Sequence, residues 1–391
     1  MGFAKTVKRL LKSEAVFFIS LILAIVSCFF CPPSERYLGY IDFRVLAILL
    51  GLMLVMSGYK RIGIFDRICS YLLSKTHTVR QLAFVLVLIC FFSSMFITND
   101  VALVAFVPFA LYALKQAGYE NKSVFVVVLQ TIAANTGSML LPSGNPQNLY
   151  LFNLSGMSYG EFVLLMLPYT LVSLALLTFI LLLFCRNEPI APVQEKGRVS
   201  LKVKDKISLV CYTLLFVLGI LTVCRIVPYY VFLAAAVILV AALDYKAFAG
   251  ADYFLLLTFM CFFVFIGNLG SIEAVRSWLQ SLVNGREVLA GIVSSQFISN
   301  VPAALMLSGF TERYPLLIIG TDLGGMGTLI ASMASLISYK YYAREYHEPK
   351  GRNSRSRYLL TFTYYNIIFL AAMLSLYYIL AGFGLIPGMN T

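Results

Sequence analysis

The chain has 391 residues, 60% of them apolar and only 12% charged, with a mean hydropathy of +0.86. That composition excludes a soluble globular protein, and several apolar runs reach the ~20 residues that cross a bilayer. The net charge of +12 invites a nucleic-acid reading, but cationic loops that orient a membrane protein account for it, so no nucleic-acid partner is expected.

Taken in chain order, Lys5, Lys8, Arg9 and Lys12 precede an apolar run ending at Cys31-Pro32-Pro33. They resemble the start of a signal peptide, but no small-residue cleavage site follows, which predicts an uncleaved first span. Crossings are predicted at 15–31, 41–59, 123–152 (broken), 160–184, 207–223, 227–243, 253–269, 315–338 (broken) and 359–385. Residues 82–114 are too long for one crossing, at about 50 Å, and too short for two, at about 20–25 Å for each arm about Thr98–Asp100. Residues 288–309 break likewise at Ser299–Pro302, with arms of about 14–17 Å. Both are predicted as re-entrant helical hairpins, the alternative being a pair of short or kinked spans. With the N-terminus in the cytoplasm, the loops on that side hold 24 of the 30 Lys and Arg residues, and the positive-inside bias then places the C-terminus outside.

The two halves correspond. Phe96-Ile97-Thr98-Asn99 and Phe297-Ile298-Ser299-Asn300 match at an offset of 201. Asp42 and Asp252 each open a span, where they are expected as caps. An amphipathic stretch follows each span, at Ile64–Leu73 and at Ile272–Leu279. One extra crossing between the halves turns the second upside down. The expected fold is therefore an all-α polytopic membrane protein with an inverted-topology repeat, about nine transmembrane crossings and two re-entrant hairpins. Residues 1–184 are the first repeat, 185–226 a linker with one crossing, and 227–391 the second repeat.

Eight cysteines are present, most in apolar runs where Cys acts as a small hydrophobe. Cys28 and Cys31 make one CxxC, without the second pair or histidines that a zinc site needs. His77 and His347 lie in polar connections and are expected to be solvated. No P-loop is present, so ATP-driven transport has no local support. No cofactor is expected, and Na+ is the only metal ion considered.

The chemistry concentrates at polar breaks inside apolar sequence. These are Thr98, Asn99 and Asp100; Asn135, Thr136 and Gly137; Ser143, Gly144, Asn145, Gln147 and Asn148; Ser299 and Asn300; and Asp322, Gly324, Thr328 and Ser332. Interrupted membrane helices present free N–H groups to anions and free carbonyls to Na+. Small hydroxyl and amide side chains complete such shells, although helix packing through small residues is the alternative for each glycine. Asp100 and Asp322 are the deepest acids and could hold Na+ or exchange a proton. No Arg or Lys falls inside the polar clusters, so an anionic solute would rely on helix N-termini, amides and bound cations.

Thr98-Asn99-Asp100-Val101-Ala102-Leu103, Asn135-Thr136-Gly137, Gly144-Asn145-Pro146-Gln147-Asn148, Ser299-Asn300-Val301-Pro302-Ala303 and Thr321-Asp322-Leu323-Gly324 together resemble the ion transporter superfamily, which includes citrate transporters, arsenite permeases and divalent-anion:sodium symporters. The resemblance covers nearly the whole chain. It departs at both tips, where the dicarboxylate branch has Ser-Asn-Thr, and at Gly144–Asn148, where relatives often show Gly-Asp-Pro-Pro-Asn. It implies a homodimer with a scaffold layer and a mobile transport layer. The expected function is a secondary transporter in the cell membrane, moving a small carboxylate or inorganic oxyanion with Na+ or H+. The alternatives are a Na+/H+ antiporter and, remotely, an intramembrane aspartyl protease, for which the Gly-x-Gly-Asp signature is missing. An enzyme is therefore not expected.

Overall fold

The computed structural model describes residues 14–190 apart from 65, 66, 69, 70, 72 and 73, then 203–346 and 354–386. The basic N-terminal residues, most of the first amphipathic stretch, part of the linker and His347 lie outside the described residues. Seventeen helices and no strand are present among the described residues. In order they are α1 Ala15–Phe30, α2 Arg36–Tyr40, α3 Phe43–Ile62, α4 Val79–Ile97, α5 Asn99–Gln116, α6 Ser123–Ser138, α7 Pro146–Ser155 and α8 Tyr159–Phe184. The second half continues with α9 Val203–Val223, α10 Tyr229–Asp244, α11 Tyr253–Ser271, α12 Glu273–Val283, α13 Glu287–Ile298, α14 Asn300–Ser308, α15 Tyr314–Gly324, α16 Met333–Glu345 and α17 Arg355–Gly382.

Polar side chains set where these helices start. Asp42 Oδ1 accepts the Val45 N–H at 3.0 Å and Asp252 Oδ1 accepts the Leu255 N–H at 3.0 Å. Each cap satisfies one of the free N–H groups of a first turn. Ser158 and Glu161 form a reciprocal capping box at the start of α8. Seven of the described helices are long and apolar enough to cross a membrane, namely α3, α4 and α8 to α11, which here includes residues 205–223 of α9, together with α17. The first hairpin is longer than expected. Its first arm, α4, has 19 residues, about 28 Å, because the Thr78 cap starts the helix ahead of the apolar run.

Both hairpins return to the side they leave. At the base of the first, the Val79 N–H donates to Glu188 O at 2.9 Å and Tyr119 Oη donates to Glu188 Oε2 at 3.2 Å. At the base of the second, Thr311 Oγ1 and the Gly285 N–H both donate to Glu287 Oε1, at 3.2 and 3.1 Å. The tips meet the broken spans, Asn99 Nδ2 donating to Asn135 Oδ1 at 3.1 Å and the Asn300 N–H to Ala331 O at 2.9 Å.

The helices pack in two layers. In one, α3 packs against α9 and α10, and α1 and α2 against α11. In the other, each hairpin packs on the first half of its own broken span, α4 on α6 and α13 on α15, with α8 and α17 alongside. The layers meet where α14 lies on α11 and α7 on α3. Large apolar side chains such as Phe29, Leu164 and Leu360 point outward, as a lipid-facing surface requires.

Candidate transport site

The tips share one backbone conformation. Thr98 has φ 68° and ψ 150°, and Ser299 has φ 73° and ψ 154°. A positive φ is costly for a residue with a Cβ and persists only where the surroundings enforce it. Each tip closes alike, with Ala102 N–H donating to Thr98 O and Ala303 N–H to Ser299 O, both at 3.0 Å. The Asn300 N–H donates to Ala331 O at 2.9 Å, docking the second tip on the second break.

The broken spans correspond at a second constant step. Asn135, Gly137 and Asn145 map on Asp322, Gly324 and Ser332, each 187 residues later. The halves exchange bonds along this correspondence. Asn145 Nδ2 donates to Asp322 Oδ1 at 3.1 Å, and Ser332 Oγ donates to Asn135 Oδ1 at 3.1 Å. Asn99 Nδ2 donates to the same Asn135 oxygen at 3.1 Å, so three elements converge on one amide. Gln147 Nε2 also reaches Asp322 Oδ1, at 3.5 Å, and the Asn148 N–H donates to Asn145 Oδ1 at 2.9 Å. Asp322 Oδ2 and Gln147 Oε1 are buried without a hydrogen-bond partner. Unpaired polar atoms in a dry interior are costly and mark sites awaiting a partner.

A cavity of about 260 Å³ lies between the layers. Its lining includes Lys60 and Gly250, the polar residues Thr98, Asp100, Ser143 and Asn145, and the apolar side chains Leu52, Met56 and Leu149. The N-termini of α5, α7 and α16 face it through Asp100, Pro146 and Met333. Next to Leu149 stands the buried Tyr150. Tyr150 packs its ring 5.6 Å from Phe263, and its hydroxyl lies 2.9 Å from Ser308 Oγ. Ser308 in turn borders an open groove.

The remaining candidates lie off the cavity. Thr136 Oγ1 bonds its own helix at Ile132 O, 2.8 Å away. Thr328 is exposed and bonds Gln296 O at 3.1 Å. Gly144 packs against Ser138 O. Gly137 and Gly324 allow close packing of broken span on hairpin, since a Cβ would lie 2.1 Å from Phe91 O and 2.5 Å from Ser295 Oγ. No hydrogen bond joins Asp100 to Asp322, so the two do not form a proton-sharing dyad.

Three residues not expected at the site from the sequence belong here, Asp252 having been read only as a cap. Tyr150 joins the two halves through Ser308, and Asp252 lines the cavity as well as capping α11. Gln296, a polar residue three before the tip, spans the second break: its Nε2 donates to Gly324 O at 3.0 Å and Met326 O at 3.1 Å, and its Oε1 accepts the Thr328 N–H at 2.8 Å. Gln296→Leu should destabilise the protein by about 1–3 kcal/mol, read as a lower unfolding temperature in detergent; an unchanged temperature would mean that the break holds itself.

The model of the citrate transporter family, CitMHS, matches residues 8–312. The chain belongs to that family. It is 31% identical to the inner membrane protein YbiR of Escherichia coli (strain K12), over 85% of this chain and 89% of that protein. It is 30% identical to the uncharacterized transporter MJ0456 of Methanocaldococcus jannaschii, over 83% of this chain and 87% of that one. The crystal structure of the Alcanivorax borkumensis YdaH transporter shares the fold with a TM-score of 0.57 at 18% identity, covering 90% of this chain and 89% of that one. This member of the citrate transporter family is a multi-pass membrane protein and a transporter, not an enzyme.

Proposed function

We propose that the chain is a secondary permease that moves a small anion, a citrate-like carboxylate or an inorganic oxyanion, across the cell membrane with Na+ or H+ as the coupling ion. The observation that carries the reading is the cavity between the layers, where three transport-layer helices begin and Asp100, Ser143 and Asn145 lie together. Helix N-termini supply positive potential to an anion without a buried Arg, and Asp100 supplies the group that a cation or proton neutralises. Family membership supports the same reading. Uptake of labelled citrate, phosphate and arsenite into proteoliposomes, with and without a Na+ or pH gradient, tests it. Gradient-driven uptake of one of these is expected, and cation exchange with no anion movement would sink it.

The two carboxylates on that cavity, Asp100 and Asp252, favour a Na+/H+ antiporter as the second reading. Antiport needs only cations, so the same vesicles separate the two. Residues 1–184 and 227–391 act as the two repeats, and two copies form a homodimer through the scaffold layer.

The cytoplasm lies at the Lys60 end of α3, with the N-terminus there and the C-terminus outside, on the 24-to-6 division of Lys and Arg. Single cysteines placed at Gly118 and Glu188 should be shielded from an impermeant thiol reagent in intact cells, and cysteines at Gly156 and Gly285 should be labelled. Labelling of Gly118 and Gly156 from the same side would remove the topology.

A further inference from the structure

Asp42 and Asp252 start corresponding helices and cap them alike. Their backbone angles are φ −81°, ψ 87° and φ −86°, ψ 86°, and each accepts the N–H three residues on at 3.0 Å. They differ in what else the carboxylate meets. Asp252 lines the cavity with Asp100; Asp42 does not line it.

The two acids belong to different layers, Asp252 to the scaffold and Asp100 to the hairpin that docks against it. The other charged groups facing Asp252 are Lys60, from α3 in the same cavity, and Glu14, from the segment ahead of α1. Neither acid makes an ion pair among the described residues. Ser143 also lines the cavity. It is 3% exposed, and its hydroxyl makes no hydrogen bond of good geometry, its polar neighbour being the Tyr159 hydroxyl.

We propose that Asp252 is a second acid of the transport site and that Asp100 and Asp252 together hold one positive charge, a proton or Na+, across the boundary between the layers, with Ser143 Oγ as a further ligand when it is Na+. This rests on the reading of Asp100 as the acid of that site. Two carboxylates on one cavity, Asp100 half-buried and Asp252 exposed, repel each other, and a positive charge held between them offsets that repulsion. One bound positive charge holds the layers together at this cavity, and its departure leaves a repulsion that drives them apart. Because Asp252 stays with the scaffold, the pair exists only while the transport layer is docked here. Charge binding and movement are thereby linked.

The matched caps provide the test. Asp252→Asn keeps the cap, since Asn caps as well as Asp, and Asp42→Asn is its control in the other half. Both are compared with Asp100→Asn and the parent in proteoliposomes. All carry Val101→Cys, a cavity position, with the native cysteines replaced. Maleimide labelling is followed as Na+ replaces choline and as the pH falls through the neutral range. In Asp252→Asn the half-maximal Na+ or H+ concentration should rise about tenfold or more, one unit on a titration scale, while Asp42→Asn follows the parent. A parent-like response in Asp252→Asn, or no cation response in the parent, overturns the proposal. Loss of the response in Asp100→Asn alone removes Asp252 and leaves the reading of Asp100 standing.

Discussion

Asp100→Asn should abolish gradient-driven uptake, or leave uptake that no longer depends on Na+ or pH, while the protein still folds. The carboxylate lies at the first tip, in the first turn of α5, and lines the cavity without an ion pair among the described residues. Replacing it with an amide keeps its shape and removes its charge. The structural cost is the lost interaction with the helix dipole, about 0.3–1 kcal/mol, too little to unfold the chain. The functional cost is large, because a carboxylate removed from water reduces its desolvation penalty by binding a cation or proton. Asp322→Asn should act similarly. Asp322 Oδ1 accepts from Asn145 and Gln147 while Oδ2 has no partner, so the substitution keeps an acceptor for the amides and removes the charge behind them. Uptake with unchanged Na+ and pH dependence in both variants would mean that neither acid couples. Asn99 and Asn300, with backbone groups, would then have to bind the ion alone.

Gly137→Ala should cost the transport layer substantial stability. Its Cβ would sit 2.1 Å from Phe91 O and 2.8 Å from the carbonyl carbon, both backbone atoms of a packed helix that cannot rotate away. Overpacking of this kind costs about 1–3 kcal/mol, occasionally more. The effect should appear as loss of monodisperse protein and a lower unfolding temperature. Gly324→Ala should be milder, since its nearest obstacle is Ser295 Oγ, a side-chain atom. Gly160→Ala is the control. Nothing lies within 4 Å of its Cβ, and exchanging Gly for Ala in a helix gains up to about 1 kcal/mol. A Gly137→Ala protein as stable as the Gly160→Ala control would contradict the packing of α6 on the first hairpin.

Much of this architecture is legible in the sequence because lipid leaves few options. A backbone break inside an apolar run is tolerated only where other protein satisfies it. Thr98–Asp100, Ser143–Asn145 and Ser299–Asn300 therefore announce both a break and its burial in protein, whereas Asn135–Gly137, read as a break, lies inside α6. The Asp42 and Asp252 caps are readable because a carboxylate before an apolar run has one common use. The length of α4 is harder to read, since a polar first turn continues the helix at little cost and adds no apolar signal. The long-range pairings are not legible at all. Asn145 with Asp322, and Ser332 with Asn135, depend on how two distant segments approach. So does the second role of Asp252, since a cap and a cavity-lining acid look the same in one dimension. Gln296 shows the opposite limit: its polarity is visible, but its grip on the loop after α15 depends on three backbone groups brought together by the fold.

The exchanged bonds between the broken spans also bear on how the protein is made. Asn135 receives Ser332, and Asp322 receives Asn145, across separations of 197 and 177 residues. When the first half leaves the ribosome and enters the bilayer, the partner for its polar break does not yet exist. Nascent first halves must keep that break wet or chaperoned until the second half arrives. Neither half is then expected to fold alone, although each has its own hairpin and broken span. Two separately encoded halves should consequently accumulate only when synthesised together, and a chain truncated after the first half should be a substrate for membrane proteolysis.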